Sequence, residues 1–304
     1  MNEIFGGAVT LSEILPPRTK PVLSYTNVIG FIVVHLVALT AIFLPEYTFS
    51  WSAVGVMLVL VWMTGSLGIC LGFHRYLTHR SFELPKWLAN FFVLMGTLAL
   101  QTTPITWVGQ HRMHHAYSDT DNDPYDASKG FWWSHLGWAL HKVQNFDDKR
   151  KLIEYTRDFS NDKFYQFLSN NMFLLQGALG VVLYLLGGIP WVVWGIFVRL
   201  AIVWQQTLSV NSAAHKWGYQ NFDTGDLSTN CWWVGIIAWG EGWHNNHHAL
   251  PKSARYGLRP WEIDMTWMVI CGLKALGLAT NVQVATIEPE GSGQYFTGVT
   301  KKAA

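Results

Sequence analysis

The chain has 304 residues, half of them apolar and only 13% charged, and its net charge is +1. A soluble domain carries about 25% charged residues, so this composition, with 17 tryptophans, argues for a membrane protein. It leaves no bulk electrostatic case for a nucleic-acid partner. Cys70, Cys231 and Cys271 are scattered and form no CxxC pair, which indicates packing residues rather than a disulfide framework or a thiolate metal site.

Residues 1–20 lack the basic-then-apolar order of a signal peptide. A membrane-crossing helix needs about 20 mostly apolar residues, and residues 26–45 and 52–73 qualify. The turn between them, Glu46 to Ser50, holds no Lys or Arg. Gly68 and Gly72 form a small-xxx-small step suited to close helix packing. Residues 87–100 are apolar but short for a span, and read as re-entrant or interfacial. A second pair of spans is expected at 172–187 and 190–210, divided by Gly187-Gly188-Ile189-Pro190. Arg199 falls inside the last of these. A charge within a membrane segment is a functional marker by default, but Arg199 sits about three turns from Asn211, and a structural pairing role is expected.

Basic residues gather in 1–25, 74–86, 112–163 and 216–302. The positive-inside rule places those segments in the cytoplasm. The expectation is therefore an all-α membrane protein with one domain over 1–304: four transmembrane helices in two hairpins, both termini cytoplasmic, and a cytoplasmic helical cap formed by 74–170 and 211–280. The polar tail 281–304 reads as a loose surface segment. The setting is a bacterial-type inner or thylakoid-like membrane.

Eight histidines lie in three clusters, His74-Arg-Tyr-Leu-Thr-His79, His111-Arg-Met-His114-His115 and His244-Asn-Asn-His247-His248, and His215 stands in Asn-Ser-Ala-Ala-His. Imidazole is the commonest protein metal ligand, and residues three and four apart share a helix face. Nine histidines exceed one ion's needs and suggest two metals. All-imidazole sites suit iron, copper or zinc, so ligand type alone does not choose. His74 and His79, five apart, stand about 140° apart on an ordinary helix and are expected to reach different ions, or one ion from a helix end. Asp119, Asp121, Asp123 and Glu241 are placed to accept the second ring N–H of ligating histidines. His35, His135 and His141 read as ordinary hydrogen-bonded residues.

The boxes GFHRYLTHRSFE, GQHRMHHAYSDTDNDPY and GEGWHNNHHALP, in that order and spacing, resemble those of the membrane-bound fatty acid desaturases, and most those of the delta-9 acyl type. The likeness runs from about residue 50 to residue 280. It implies a cap holding a non-haem di-iron site ligated by His74, His79, His111, His114, His115, His215, His244, His247 and His248, with Asn211 reaching a metal through water. It implies that O₂ and two electrons convert a saturated palmitoyl or stearoyl chain to the cis-monounsaturated product. It also implies that Gln101, Trp107 and Thr207 bend the acyl tunnel, and that Trp62 and Ser66 close its far end. A tryptophan there hints at a shorter chain.

Acyl-CoA members carry an Arg-Asp pair before the second box, where this chain has Gly109-Gln110, and Asn where it has Thr102. Lys142 keeps one basic position. An acyl-lipid or acyl-carrier-protein substrate thus gains ground beside acyl-CoA. Electrons are expected from a separate donor such as ferredoxin, or cytochrome b5 with its reductase. The basic residues Lys142, Lys149, Arg150 and Lys151 are available to dock it, or to meet anionic lipid. The competing readings are a di-iron fatty acyl or alkane hydroxylase, which inserts oxygen, and a metal transporter, whose ligands belong at the bilayer midplane.

Overall fold

The computed structural model describes residues 20–287 together with Val299 and Thr300. The expected cytoplasmic N-terminus and most of the tail lie outside them. Helices dominate. The first long helix, α1 (Tyr25–Phe43), starts at Ser24, whose hydroxyl caps Asn27 N. The second, α2 (Trp51–Thr78), starts in the same way from Ser50. A third apolar run, Lys163–His215, contains α6 (Lys163–Val192) and α7 (Arg199–Ser212). These three runs are long and apolar enough to cross a membrane.

The third run is two arms. Gly188 has φ 66° and ψ −156°, a conformation that costs glycine little and other residues much. Pro190 follows it and cannot complete the helical ladder. The chain reverses there: Leu183 packs on Gly195, and Leu183, Ile196 and Leu200 share one apolar cluster with Val34 of α1. The break falls within the Gly-Gly-Ile-Pro segment marked from sequence, although helix extends beyond the expected limits at 172 and 210. The pairing differs from two self-contained hairpins, because α1 packs chiefly on the second arm of the third run.

Helix α3 (Lys86–Leu98) covers the expected short apolar stretch and lies along α2. The contact is backbone on backbone. A Cβ on Gly68 would fall inside the Gly96 backbone, and one on Gly72 would stand 2.9 Å from Phe92 O. Arg199 is fully buried. It donates to Gly195 O (2.8 Å), Leu98 O (2.7 Å) and Gln176 Oε1 (3.3 Å), tying α7 to α3 and α6. Helices α4 (Pro104–Tyr117), α5 (Lys149–Tyr155), α8 (His244–Ala249) and α9 (Met265–Ala275) complete the part that carries the histidines.

Candidate metal centre and substrate cavity

The first histidine lies inside α2, not beyond its end as expected, because the helix continues past the apolar stretch to Thr78. From Trp62 it is wound in the wide form with i to i+5 hydrogen bonds, which proteins commonly place at functional sites. His79 N bonds to His74 O at 3.1 Å and Thr78 Oγ1 to Phe73 O at 2.8 Å. This winding stacks residues five apart. The His74 and His79 rings therefore meet, with centroids 4.8 Å apart, instead of diverging as on a 3.6-residue helix.

The second box lies on α4, capped by Thr103. The third lies on α8, and the two asparagines between its histidines fix the ring directions. Asn245 Oδ1 accepts from Asn221 N (2.7 Å) and Phe222 N (2.9 Å). Asn246 accepts from Asn230 Nδ2 (2.9 Å) and donates to Tyr256 O (2.9 Å) and Glu262 Oε2 (2.9 Å). With both amides pinned to the surrounding loops, the imidazoles are left facing the other boxes.

The nine histidines form two groups, His74, His79, His111, His115 and His247, and His114, His215, His244 and His248; ligand atoms within each lie within 4.8 Å of one another. The hydrogen-bond partners show what the groups suit. His114 Nδ1 donates to Asp123 Oδ2 (2.8 Å) and His248 Nδ1 to Asp226 Oδ2 (2.7 Å). Their Nε2 atoms are therefore bare lone pairs, yet they face each other at 3.3 Å. His74 Nδ1 donates to Glu241 Oε2 (2.6 Å) and its Nε2 lies 3.1 Å from His247 Nε2. His215 Nδ1 donates to Asp119 Oδ2 (3.0 Å), and its buried Nε2 has no hydrogen-bond partner, as is true of His79 Nε2. Converging lone pairs in a dry site repel unless a cation stands among them. The donor set thus fits a two-metal site.

For six of the nine rings burial favours the ligating, neutral form, whereas the Asp119 carboxylate outweighs burial and raises His215. Burial, reinforced by neighbouring imidazoles, pushes His79, His111, His115, His244 and His247 well below the usual histidine value. Burial also brings His248 down to about 4. Two of the partner carboxylates are held toward the charged form. Burial works to raise Glu241, but Arg75 and His74 outweigh it and hold it below the usual range. For Asp226 burial is likewise outweighed, chiefly by the His248 N–H and by Ser228 and Thr224. Such carboxylate–histidine pairs fix ring orientation and raise ligand basicity.

Of the partners read from sequence, Glu241, Asp123 and Asp119 each bond a ring. Asp226, on His248, was not foreseen, nor was Arg75. Arg75 is fully buried and joins Glu241 Oε1 (3.0 Å) to Asp264 Oδ2 (2.9 Å) over the Tyr256 ring. Its trace was available: a charge beside His74 in a long apolar helix. His111 Nδ1 meets Tyr125 Oη at 2.7 Å. The three histidines set aside are bonded elsewhere: His35 to Phe31 O (2.8 Å), His141 to Gly137 O (2.6 Å) and His135 to Ser212 and Gln205.

A cavity of about 550 Å³ reaches His74, His111 and His244 and is also lined by Asn211. Gln101, Trp107 and Thr207 line it too, hydrogen-bonded to one another: Trp107 Nε1 donates to Gln101 Oε1 (3.2 Å), and Gln101 Nε2 to Thr207 Oγ1 (2.8 Å). Trp62 and Ser66 are not in its wall. Trp62 is 42% exposed on α2 and Ser66 is enclosed by packing. The α2 residues that line the cavity are Gly65, Ile69, Cys70 and His74, faced by Gln206 and Trp239. Asn27, Thr102, Thr106, Gln110, His141 and Asp147 also line it, and among the described residues no Lys or Arg does.

Known proteins resemble this chain over most of its length. The fatty acid desaturase family model covers residues 49–265. An sn-1 stearoyl-lipid 9-desaturase of Anabaena variabilis is 54% identical over 88% of this chain and 96% of its own length. An sn-2 palmitoyl-lipid 9-desaturase of Nostoc sp. (strain 36) is 48% identical over 92% and 96% respectively. An icosanoyl-CoA 5-desaturase of Limnanthes douglasii is 45% identical over 86% and 72%. With its histidine boxes, its paired ligand groups and these matches in agreement, the chain belongs to the fatty acid desaturase family.

Proposed function

We propose that the chain is an O₂-dependent delta-9 desaturase acting on a stearoyl or palmitoyl group carried on a membrane lipid. The observation that carries the reading is the junction of two imidazole groups with a largely apolar cavity lined by Gln101, Trp107 and Thr207, where we place the bend of the acyl chain. A saturated chain has no polar handle at its middle, so its position must be set by tunnel shape. Rigid placement of the reacting bonds is the protein's main contribution when a cofactor carries the chemistry.

We assign two iron ions to the nine histidines, with Asn211 acting through water. The removal of hydrogen from an unactivated chain needs a redox-active metal, which zinc is not. Bound there, the metals would supply O₂ activation. In balance, the acyl chain loses two hydrogens, and with two protons and two electrons from outside one O₂ becomes two waters. The chain's own residues exclude solvent, hold the neutral imidazoles in one tautomer and hold the substrate bent.

The carrier follows from the cavity wall. The phosphates of coenzyme A call for charge-assisted donors, and among the described residues the cavity offers no Lys or Arg, only neutral polar groups, imidazoles and the carboxylates of Asp147 and Glu241. This supports an acyl-lipid over an acyl-CoA. We further propose that α1, α2 and the two arms of the third run cross the bilayer with the histidine-bearing part on the cytoplasmic side, as the distribution of Lys and Arg supports.

Expression in a desaturase-deficient host, with iron available and fatty acids analysed by lipid class, tests the reading. A cis-9 monounsaturated acid confined to intact lipids is expected. A hydroxylated product would transfer the chain to the hydroxylases, and no new product would remove the assignment.

A further inference from the structure

The metal site is approached from two sides, and the two approaches differ in charge. Among the described residues no Lys or Arg lines the substrate cavity. A separate surface groove of about 470 Å³ is lined by Arg80, Arg112, Arg157 and Lys252, against two acidic residues, Glu154 and Asp158. Among the described residues His79 alone belongs both to this groove and to a histidine group. The imidazole thus joins the groove to the metal site directly.

The excess positive charge is not cancelled internally. Asp158 serves two cations at once, Arg80 (2.5 Å) and Arg112 (2.7 Å). Arg112 is also fixed by the carbonyls of Leu77, Thr78 and Tyr155, so it forms part of the groove floor. Arg157 meets Glu154 at 3.4 Å, with both side chains more than half exposed, and exposed pairs of this kind contribute little. Lys252 is exposed and forms no ion pair among the described residues. One turn before Glu154, α5 adds Lys149, Arg150 and Lys151.

We propose that this groove is the docking surface for an acidic one-electron carrier protein and that electrons enter the metal site past His79. The inference rests on the desaturase reading, which requires two electrons from outside. Each reduced carrier would lose one electron and leave oxidised, so two docking events serve each double bond. Charge complementarity of this kind governs the encounter rate and its salt dependence more than the final affinity. A small, reversible, electrostatically guided contact suits a carrier that must leave after each electron.

The test uses the metal-loaded enzyme in nanodiscs of uncharged lipid. The probe is a plant-type [2Fe–2S] ferredoxin, an acidic protein, kept reduced by its reductase. Arg157→Glu with Lys252→Glu is compared with Lys274→Glu, a charge reversal on α9 away from the groove. The groove pair should weaken ferredoxin binding at least tenfold and flatten its salt dependence, and Lys274→Glu should do neither. Turnover driven by dithionite should be unchanged in both. The milder Arg157→Gln with Lys252→Gln serves if the reversed pair does not fold, with a several-fold loss expected. Unchanged ferredoxin binding overturns the proposal. So does a groove variant that loses binding only to anionic vesicles, since the groove would then meet lipid. Absence of dithionite-driven product in the wild type would count against the desaturase reading, and ferredoxin binding would still report on the groove.

Discussion

Asp226→Asn is the sharpest perturbation of the site, because it changes one atom and reverses one hydrogen bond. Asp226 Oδ1 accepts from Ser228 N (2.9 Å), Ser228 Oγ (2.5 Å) and Thr224 Oγ1 (2.7 Å), and Oδ2 accepts from His248 Nδ1 (2.7 Å). An asparagine keeps its oxygen where three donors converge, which turns its NH₂ toward His248. Two donors would then face each other. His248 must move its proton to Nε2, the atom that points at His114 Nε2 from 3.3 Å, and a protonated Nε2 cannot ligate. Loss of such a partner costs about 10- to 100-fold in metal affinity, or about 1.4–2.7 kcal/mol at 1.36 kcal/mol per tenfold. The assay is competition for the metal between purified protein and a chelator of known affinity, followed by metal analysis. One of the two ions should be lost first and the other retained, since His248 belongs to the group holding His114, His215 and His244. A variant that keeps both ions at wild-type affinity would refute the tautomer reasoning.

Gly65→Val should move the product toward shorter chains. Even a single Cβ at Gly65 would stand 3.2 Å from both Gln206 Oε1 and Trp239 Nε1, and the added methyls enter the cavity wall. Stearoyl turnover should fall severalfold more than palmitoyl turnover in fatty acid profiles, whereas Trp62→Ala should leave the profile unchanged because Trp62 lies outside the wall. Gln101→Leu breaks the hydrogen bonds that join Gln101 to Trp107 and Thr207. Mass spectrometry of derivatised products should show double bonds spread from the ninth position, with metal content intact. Arg199→Lys leaves Leu98 O and Gln176 Oε1 without the guanidinium fork. At about 1–3 kcal/mol for each buried group left unpaired, the detergent-solubilised protein should unfold several degrees earlier, and an unchanged midpoint would remove Arg199 from the bundle's supports.

What could be read from the sequence is set by how local each feature is. The His111/His114/His115 and His244/His247/His248 spacings are local, since three and four residues make one helical turn. Glu241 and Asp123 stand within nine residues of a box, close enough to suspect. For His74 and His79 the sequence left two arrangements open, different ions or one ion from a helix end; the wide winding, which nothing in Phe-His-Arg-Tyr-Leu-Thr-His announces, brings both into one group. Asp226 could not be found, because its loop returns to His248 only once Asn221 and Phe222 are bonded to Asn245. The tunnel end depends on contacts of the same kind. Counting back from His74 placed Trp62 and Ser66 at the wall, but which α2 residues face the cavity depends on where Gln206 and Trp239 arrive from distant segments. The helices and ligand spacing are thus encoded by neighbours in the chain. The partners of the ligands and the wall of the cavity are encoded by contacts across it, which no spacing within a single box can announce.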